Sequence, residues 1–373
     1  MKFKIKKNIL LEGLNNVSKA LSNRNIIPVL NGILFELNSE GLSLMATDND
    51  LTIKTFINKN DILNVESEGS IVIIGRYILD IVRKLPYDDI EIEDIDGGKA
   101  IISTPNAKYN LNCFDINDFP KIEISENDKP IKLLTGKFKE IINQTVFSTS
   151  TQESRPLLTG INLKIVGDLL ETVATDSYRL SKKIVKLDKD INNNINIVIP
   201  AKNIIELVKI LENEENTLIL YCFGNKVLFK YENILFQSSL LNGTYPNTDT
   251  LIPKDFETKL QVNLTEFYDV VDRASLLTQV KDKNIIQLEI KDSNIVITSS
   301  SPEIGKVEEV MPVKVLSGIN MKISFSAKYM MDALKSFNCE EVIIMLNGEI
   351  KPIIIKELEE GDLTQLILPI KTY

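Results

Sequence analysis

One pattern recurs three times along the 373 residues, and it limits the fold more than any other feature. From Phe3 the chain alternates as a short strand does, then carries Ile9, Leu10, Leu14, Val17 and Leu21 at helical spacing. The plan returns from Ile131, with Phe138, Ile141, Ile142 and Val146 on the helical face, and from Leu260, with Phe267, Val270, Val271 and Ala274. The starts lie 128 and 129 residues apart, an agreement that marks an internal repeat. Each unit holds a second strand-to-helix passage near its middle: Ile71-Val-Ile-Ile-Gly-Arg-Tyr-Ile-Leu-Asp, Ile197-Val-Ile-Pro-Ala-Lys-Asn-Ile-Ile-Glu and Ile323-Ser-Phe-Ser-Ala-Lys-Tyr-Met-Met-Asp. Further alternating segments surround these passages, such as residues 227–236 with a polar turn at Glu232-Asn233.

This pattern predicts an α+β fold of three repeated domains, each with two helices on one side of antiparallel sheet. The expected domains are residues 1–128, 129–255 and 256–373, divided in polar, proline-containing stretches at 125–130 and 253–258 that suit linkers. No run approaches the roughly 18 apolar residues of a membrane span, and the first residues lead into no apolar signal segment, so the expected location is the cytoplasm.

Composition narrows the chemistry. The chain has no histidine, which removes Ser-His and Cys-His nucleophile pairs and every metal site built on imidazole. Cys113, Cys222 and Cys339 are odd in number and widely spaced, so they read as buried thiols rather than a disulfide framework or a zinc site. No glycine-rich phosphate loop is present; Asp96-Gly-Gly-Lys reads as a hairpin turn. Ala46-Thr-Asp-Asn and Ala174-Thr-Asp-Ser are the most motif-like strings, with an aspartate able in principle to act as a base or metal ligand. Their equivalent places after a strand in two repeats favour a structural turn. The acidic pairs Asp88-Asp89, Glu214-Glu215 and Glu359-Glu360 fall at expected helix exits or turns, as solvated charge does. No active site, metal or cofactor is expected.

Charge is distributed unevenly. The net charge is −9, yet the six helical stretches together carry +5, leaving −14 for the remainder. Either helices simply tolerate lysine well, or they face an anionic partner while the sheets face solvent.

Five strings, in order, resemble one family. They are the opening Met-Lys-Phe, Thr151-Gln-Glu-Ser-Arg-Pro-Leu-Leu-Thr-Gly-Ile, Val173-Ala-Thr-Asp-Ser-Tyr-Arg-Leu-Ser, Gly243-Thr-Tyr-Pro-Asn-Thr-Asp-Thr-Leu-Ile-Pro, and the closing Leu368-Pro-Ile-Lys-Thr-Tyr. Over its whole length the chain resembles the bacterial beta sliding clamps, the beta subunits of DNA polymerase III. The resemblance implies a non-catalytic processivity factor: two chains close head to tail into a ring of six domains whose helices line the hole. Twelve helices packed at ~8–10 Å leave a hole of ~20–28 Å, enough for a DNA duplex, whereas six leave only ~5–9 Å. A closed ring needs only weak, sequence-independent phosphate contact, so an acidic chain can serve DNA.

The resemblance also implies site residues. DNA contact falls to Arg24, Arg76 and Gln152; read without it, the two arginines are as well explained as solvated charge. It extends to Pro156 and Leu157, where some members carry an aromatic pair; neither offers a ring to stack on a base. A partner-peptide pocket between the second and third domains falls to Leu158, Thr175, Ser177, Tyr178, Arg179, Leu180, Pro246, Thr250, Leu251, Pro352, Leu366, Leu368, Pro369, Ile370 and Lys371, with Arg179 and Lys371 at its rim. Implied partners are a second copy of the chain, duplex DNA, the replicative polymerase, the clamp loader and other clamp-binding repair and replication proteins. Two other readings share parts of this pattern: an enzyme working with carboxylates and lysines alone, and a repeat scaffold unconnected with DNA.

Overall fold

Every expected strand-to-helix passage forms. The computed structural model describes residues 1–21, 27–126, 129–278, 284–358 and 361–371, with side chains given for all of these except 188–193. Among them, α1 (Lys7–Val17), α2 (Gly75–Lys84), α3 (Thr135–Asn143), α4 (Ala201–Val208), α5 (Leu264–Ser275) and α6 (Ala327–Leu334) each follow a strand directly. The repeat extends to single hydrogen bonds. The first N–H groups of a helix have no partner within it, and here a carbonyl from a later turn of the same repeat supplies one. Lys7 N donates to Asp88 O at 2.6 Å, Thr135 N to Asn216 O at 2.9 Å, and Leu264 N to Glu340 O at 2.8 Å. The second helix of the third repeat has a side-chain cap as well, since Ser326 Oγ accepts from Tyr329 N at 3.4 Å.

The apolar positions read from the sequence form the cores. Leu10, Leu14 and Val17 of α1 are fully buried, as are Phe267, Val271 and Ala274 of α5. In the third repeat, α5 and α6 pack together over one face of a sheet, burying Met330 and Leu334 with Leu288, Ile297 and Phe325. One expected helix ends early. Val146 falls not in α3 but in a 3-10 turn, Val146–Ser148, because Thr145 Oγ1 donates to the Ile141 carbonyl at 2.7 Å and closes the last turn locally.

The described strands form a thirteen-stranded, a seven-stranded and a four-stranded sheet. The chain divides into two units, Met1–Lys137 with Glu206–Leu240, and Phe138–Ile205 with Leu241–Tyr373. Strand pairing within each unit joins different repeats. In the first, Leu51–Asn58 pairs antiparallel with Ile234–Ser239. In the second, Arg179–Pro200 pairs antiparallel with Leu363–Ile367. Strands of successive repeats thus complete one another's backbone hydrogen bonds, which covers the edges where they meet.

The two Ala-Thr-Asp strings are the same turn built twice. Thr47 Oγ1 donates to Leu51 O at 2.9 Å, and Asp48 Oδ1 accepts from the backbone N–H of Asp50 and Leu51 at 3.0 and 2.7 Å. Thr175 Oγ1 donates to Arg179 O at 2.6 Å, and Asp176 Oδ1 accepts from Tyr178 N and Arg179 N at 2.9 and 3.0 Å. Both turns place a non-glycine residue in the left-handed region, Asn49 at φ 76° and Ser177 at φ 77°. The aspartates are consumed by backbone donors, as turn residues are. The hairpin at Asp96-Gly97 has both residues at positive φ, 54° and 70°, between strands Asp89–Ile95 and Lys99–Thr104.

One expectation about side chains needs correction, and another gains a detail. The cysteines are half-buried rather than fully buried, although burial still pushes the Cys113 and Cys222 thiols up to about 11. Asp89 is solvated charge that is also paired: Lys4 and Lys6 reach it at 3.0 and 3.1 Å and hold its carboxyl below the usual range.

Candidate functional site

The second copy of the Thr-Asp turn organises a cavity within the second unit. Its strands, Gly160–Thr175 and Arg179–Pro200, pair over most of their length, so the turn between them is held firmly. Tyr178 leaves this turn about half exposed. Its carbonyl accepts from Leu368 N at 2.9 Å, and Ile370 N donates to Ser324 O at 2.7 Å. These two bonds dock the segment after strand Leu363–Ile367.

Tyr178, Leu368, Pro369 and Ile370 line a cavity of about 590 Å³, together with Gln152, Asn284, Ser326, Lys328 and Tyr329. Its position and apolar walls suit a short segment with one or two large side chains. Leu158, Leu180 and Leu366 belong to a buried apolar cluster with Val173, Val198, Tyr245, Met345 and Ile354. They are core residues that offer little surface and do not line the cavity. Thr175 and Ser177 build the turn. Ser177 Oγ also accepts from Arg155 Nη1 at 2.8 Å.

Arg179 does not stand at a rim. Its side chain is only 10% exposed, and its guanidinium donates to Asp176, Asp332 and the Phe147 carbonyl at 3.1, 2.6 and 2.7 Å. Pro246, Thr250, Leu251, Pro352 and Lys371 do not line this cavity. Pro246, Thr250, Leu251 and Lys371 are exposed, and Pro352 is half-buried ahead of strand Ile353–Glu357.

The residues assigned to DNA contact are placed apart in kind. Arg24 lies outside the described residues. Arg76 is exposed in the first turn of α2 beside the exposed Tyr77. Gln152 is exposed but belongs to the wall of the cavity. Pro156 opens a 3-10 turn and is exposed, whereas Leu157 is half-buried against the apolar cluster. Leu157 also covers Gly243, where an added β-carbon would come within 2.9 Å of its Cδ1.

The sequence reading missed Asn284, Ser326, Lys328 and Tyr329. Ser326 and Tyr329 carried a usable signal, because a serine three residues before a helix-face tyrosine marks a helix start, and helix starts in these repeats border sheet ends. Asn284 had no such mark.

Comparison with known proteins follows the same division into three. The profiles for the N-terminal, central and C-terminal domains of the DNA polymerase III beta subunit match residues 1–123, 132–247 and 249–371. The beta sliding clamp of Bacillus subtilis is 40% identical and that of Staphylococcus aureus 38% identical, each with both chains covered completely. The crystal structure of the DNA polymerase sliding clamp from Bacillus subtilis superposes with a TM-score of 0.97 at 40% identity, again over 100% of both chains. The DNA polymerase III beta chain of Streptococcus pneumoniae gives 0.95 at 34% identity with the same coverage.

Proposed function

The chain belongs to the DNA polymerase III beta subunit family, the sliding clamps, and from that premise we propose how its own residues serve a DNA polymerase processivity factor. The observation that carries the reading is the full-length match to three successive clamp domains, together with the helix-start hydrogen bond repeated in each. We place the domain boundaries at 128/129 and 255/256. Two copies close head to tail into a six-domain ring around duplex DNA, and retention is topological rather than a matter of affinity. The subunit has no catalytic step of its own; it raises the local concentration of its partners at the DNA. No described helix is long and apolar enough to cross a membrane, and we assign the protein to the cytoplasm.

The cavity at Tyr178, Leu368 and Ile370 receives the partner. A groove with apolar walls and backbone-docked edges fits an extended peptide, and a few buried anchors supply most of the binding free energy. The replicative polymerase, the clamp loader and other replication and repair proteins compete for it, each presenting a similar apolar motif. Pro246, Thr250, Leu251, Pro352 and Lys371 serve the outer part of the same path.

We assign DNA contact to Arg24, Arg76, Gln152, Pro156 and Leu157. Arginines suit phosphate contact without base readout. Replacing Arg24 and Arg76 together by Ala is expected to shorten retention on DNA, and the difference from the parent should shrink as salt rises, since removing one phosphate-binding cation lowers the salt slope by about 1. Arg76 is exposed, and such a substitution costs within about 0.5 kcal/mol, so its change should leave folding unaffected. Equal retention of parent and variant across a salt series would remove these arginines from the DNA face.

A further inference from the structure

We infer that Asp332 is a positioning residue of the peptide cavity, which through Arg179 fixes the Tyr329 ring as one of its walls. The inference rests on reading the cavity as the partner site. Asp332 does not itself line the cavity. It lies on α6 and accepts from Arg179 Nη1 at 2.6 Å, a bond that joins positions 153 residues apart.

The guanidinium is a rigid planar fork, so anchors on different edges fix its plane. Asp176 takes Nε at 3.1 Å, the Phe147 carbonyl takes Nη2 at 2.7 Å and Asp332 takes Nη1. The faces of that plane are then available to aromatic rings, and the Tyr329 ring centre lies 4.6 Å from the guanidinium carbon, with Phe147 at 5.5 Å. Tyr329 and Asp332 are three residues apart on one helix, hence on one face. Arg179 therefore holds α6 twice, by the carboxylate and by the ring.

Asp176 cannot replace Asp332 in this role. Its other oxygen is bonded to Tyr178 N and Arg179 N at 2.9 and 3.0 Å, which keeps that carboxylate in the turn. Asp176 and the Phe147 carbonyl hold the guanidinium from the turn side, and Asp332 is the carboxylate that ties it to the helix carrying Tyr329. With that tie removed, the half-buried tyrosine regains rotamer freedom, which peptide binding must again suppress. Immobilising one such side chain costs about 0.5–1.5 kcal/mol, which corresponds to roughly two- to thirteenfold in affinity.

The test is fluorescence polarisation on the full chain with a labelled synthetic peptide of the replicative polymerase's C-terminal tail. Asp332→Ala should bind about three- to tenfold more weakly, and Asp332→Asn, which keeps an acceptor oxygen toward Arg179, should lose less. Tyr329→Ala should lose at least as much as Asp332→Ala. The double variant should bind no more weakly than Tyr329→Ala alone, because Asp332 acts through the ring. Losses that multiply in the double variant, or parental affinity in Asp332→Ala, would overturn the inference. If Asp332→Ala melts early, the Asn variant carries the same comparison. A Leu368→Ala/Ile370→Ala control separates the two claims. Its loss of binding beside parental affinity in Asp332→Ala refutes the positioning role alone, whereas parental affinity in the control refutes the cavity and the positioning role together.

Discussion

Replacing Tyr178, Leu368 and Ile370 together by Ala is expected to weaken the polymerase-tail peptide at least thirtyfold, roughly the effect of losing one buried anchor pocket worth about 2 kcal/mol. The three side chains meet in one cavity, and two of them are exposed in the free protein. The backbone bonds that dock this segment, Leu368 N to Tyr178 O and Ile370 N to Ser324 O, do not depend on those side chains. The fold should therefore survive, with a melting temperature within about 4 °C of the parent for a loss near 1 kcal/mol. Peptide titration beside a melting curve checks both halves. A folded variant that binds as the parent does would put the partner elsewhere. Deleting residues 368–373 should abolish binding as well, but it is the blunter change. Leu180→Ala is unsuitable as a binding probe: Leu180 is 1% exposed, so its truncation should cost about 2–5 kcal/mol of stability.

The largest stability effect expected from a single polar residue is at Gln365, which is 1% exposed at the junction of the central and C-terminal repeats. Its Oε1 accepts from Ser181 Oγ at 2.5 Å, and its Nε2 donates to the Gln144 carbonyl at 3.0 Å and to Ser336 Oγ at 2.8 Å. Ser181 in turn meets Ser148 Oγ at 2.6 Å. Gln365→Leu keeps the volume and removes the partner of several buried polar groups, which should cost about 2–4 kcal/mol. Ser336→Ala removes one acceptor and should cost about 1 kcal/mol. Urea unfolding should show the Leu variant shifted well beyond the Ala variant. An unchanged midpoint for Gln365→Leu would mean that the network contributes nothing net to stability.

The repeats were legible because amphipathic helices and alternating strands leave local patterns, and the patterns recurred at nearly fixed intervals. The Thr-Asp turn was legible for the same reason, since both copies use hydrogen bonds spanning no more than four residues. Arg179 was misjudged because its decisive partners, Phe147 and Asp332, lie 32 and 153 residues away, and no local pattern announces them. Tyr329 escaped notice for a related reason. It lies on an apolar helix that reads as core, and only the docking of residues 368–370 against strand Lys322–Ser326 brings its ring to a cavity. Leu158, Leu180 and Leu366 illustrate the opposite limit: the resemblance points to them as pocket residues, yet they are buried in an apolar cluster and do not line the cavity.

The most direct test of the central claim is retention on DNA of different topology. The labelled chain, loaded by its clamp loader onto a nicked circular plasmid, should stay bound through gel filtration at high salt, where phosphate contacts are screened. Cutting the plasmid once should release it, and blocking both new ends with tightly bound protein should restore retention. Release at the same rate from circular and linear DNA would contradict a closed ring that encircles the duplex.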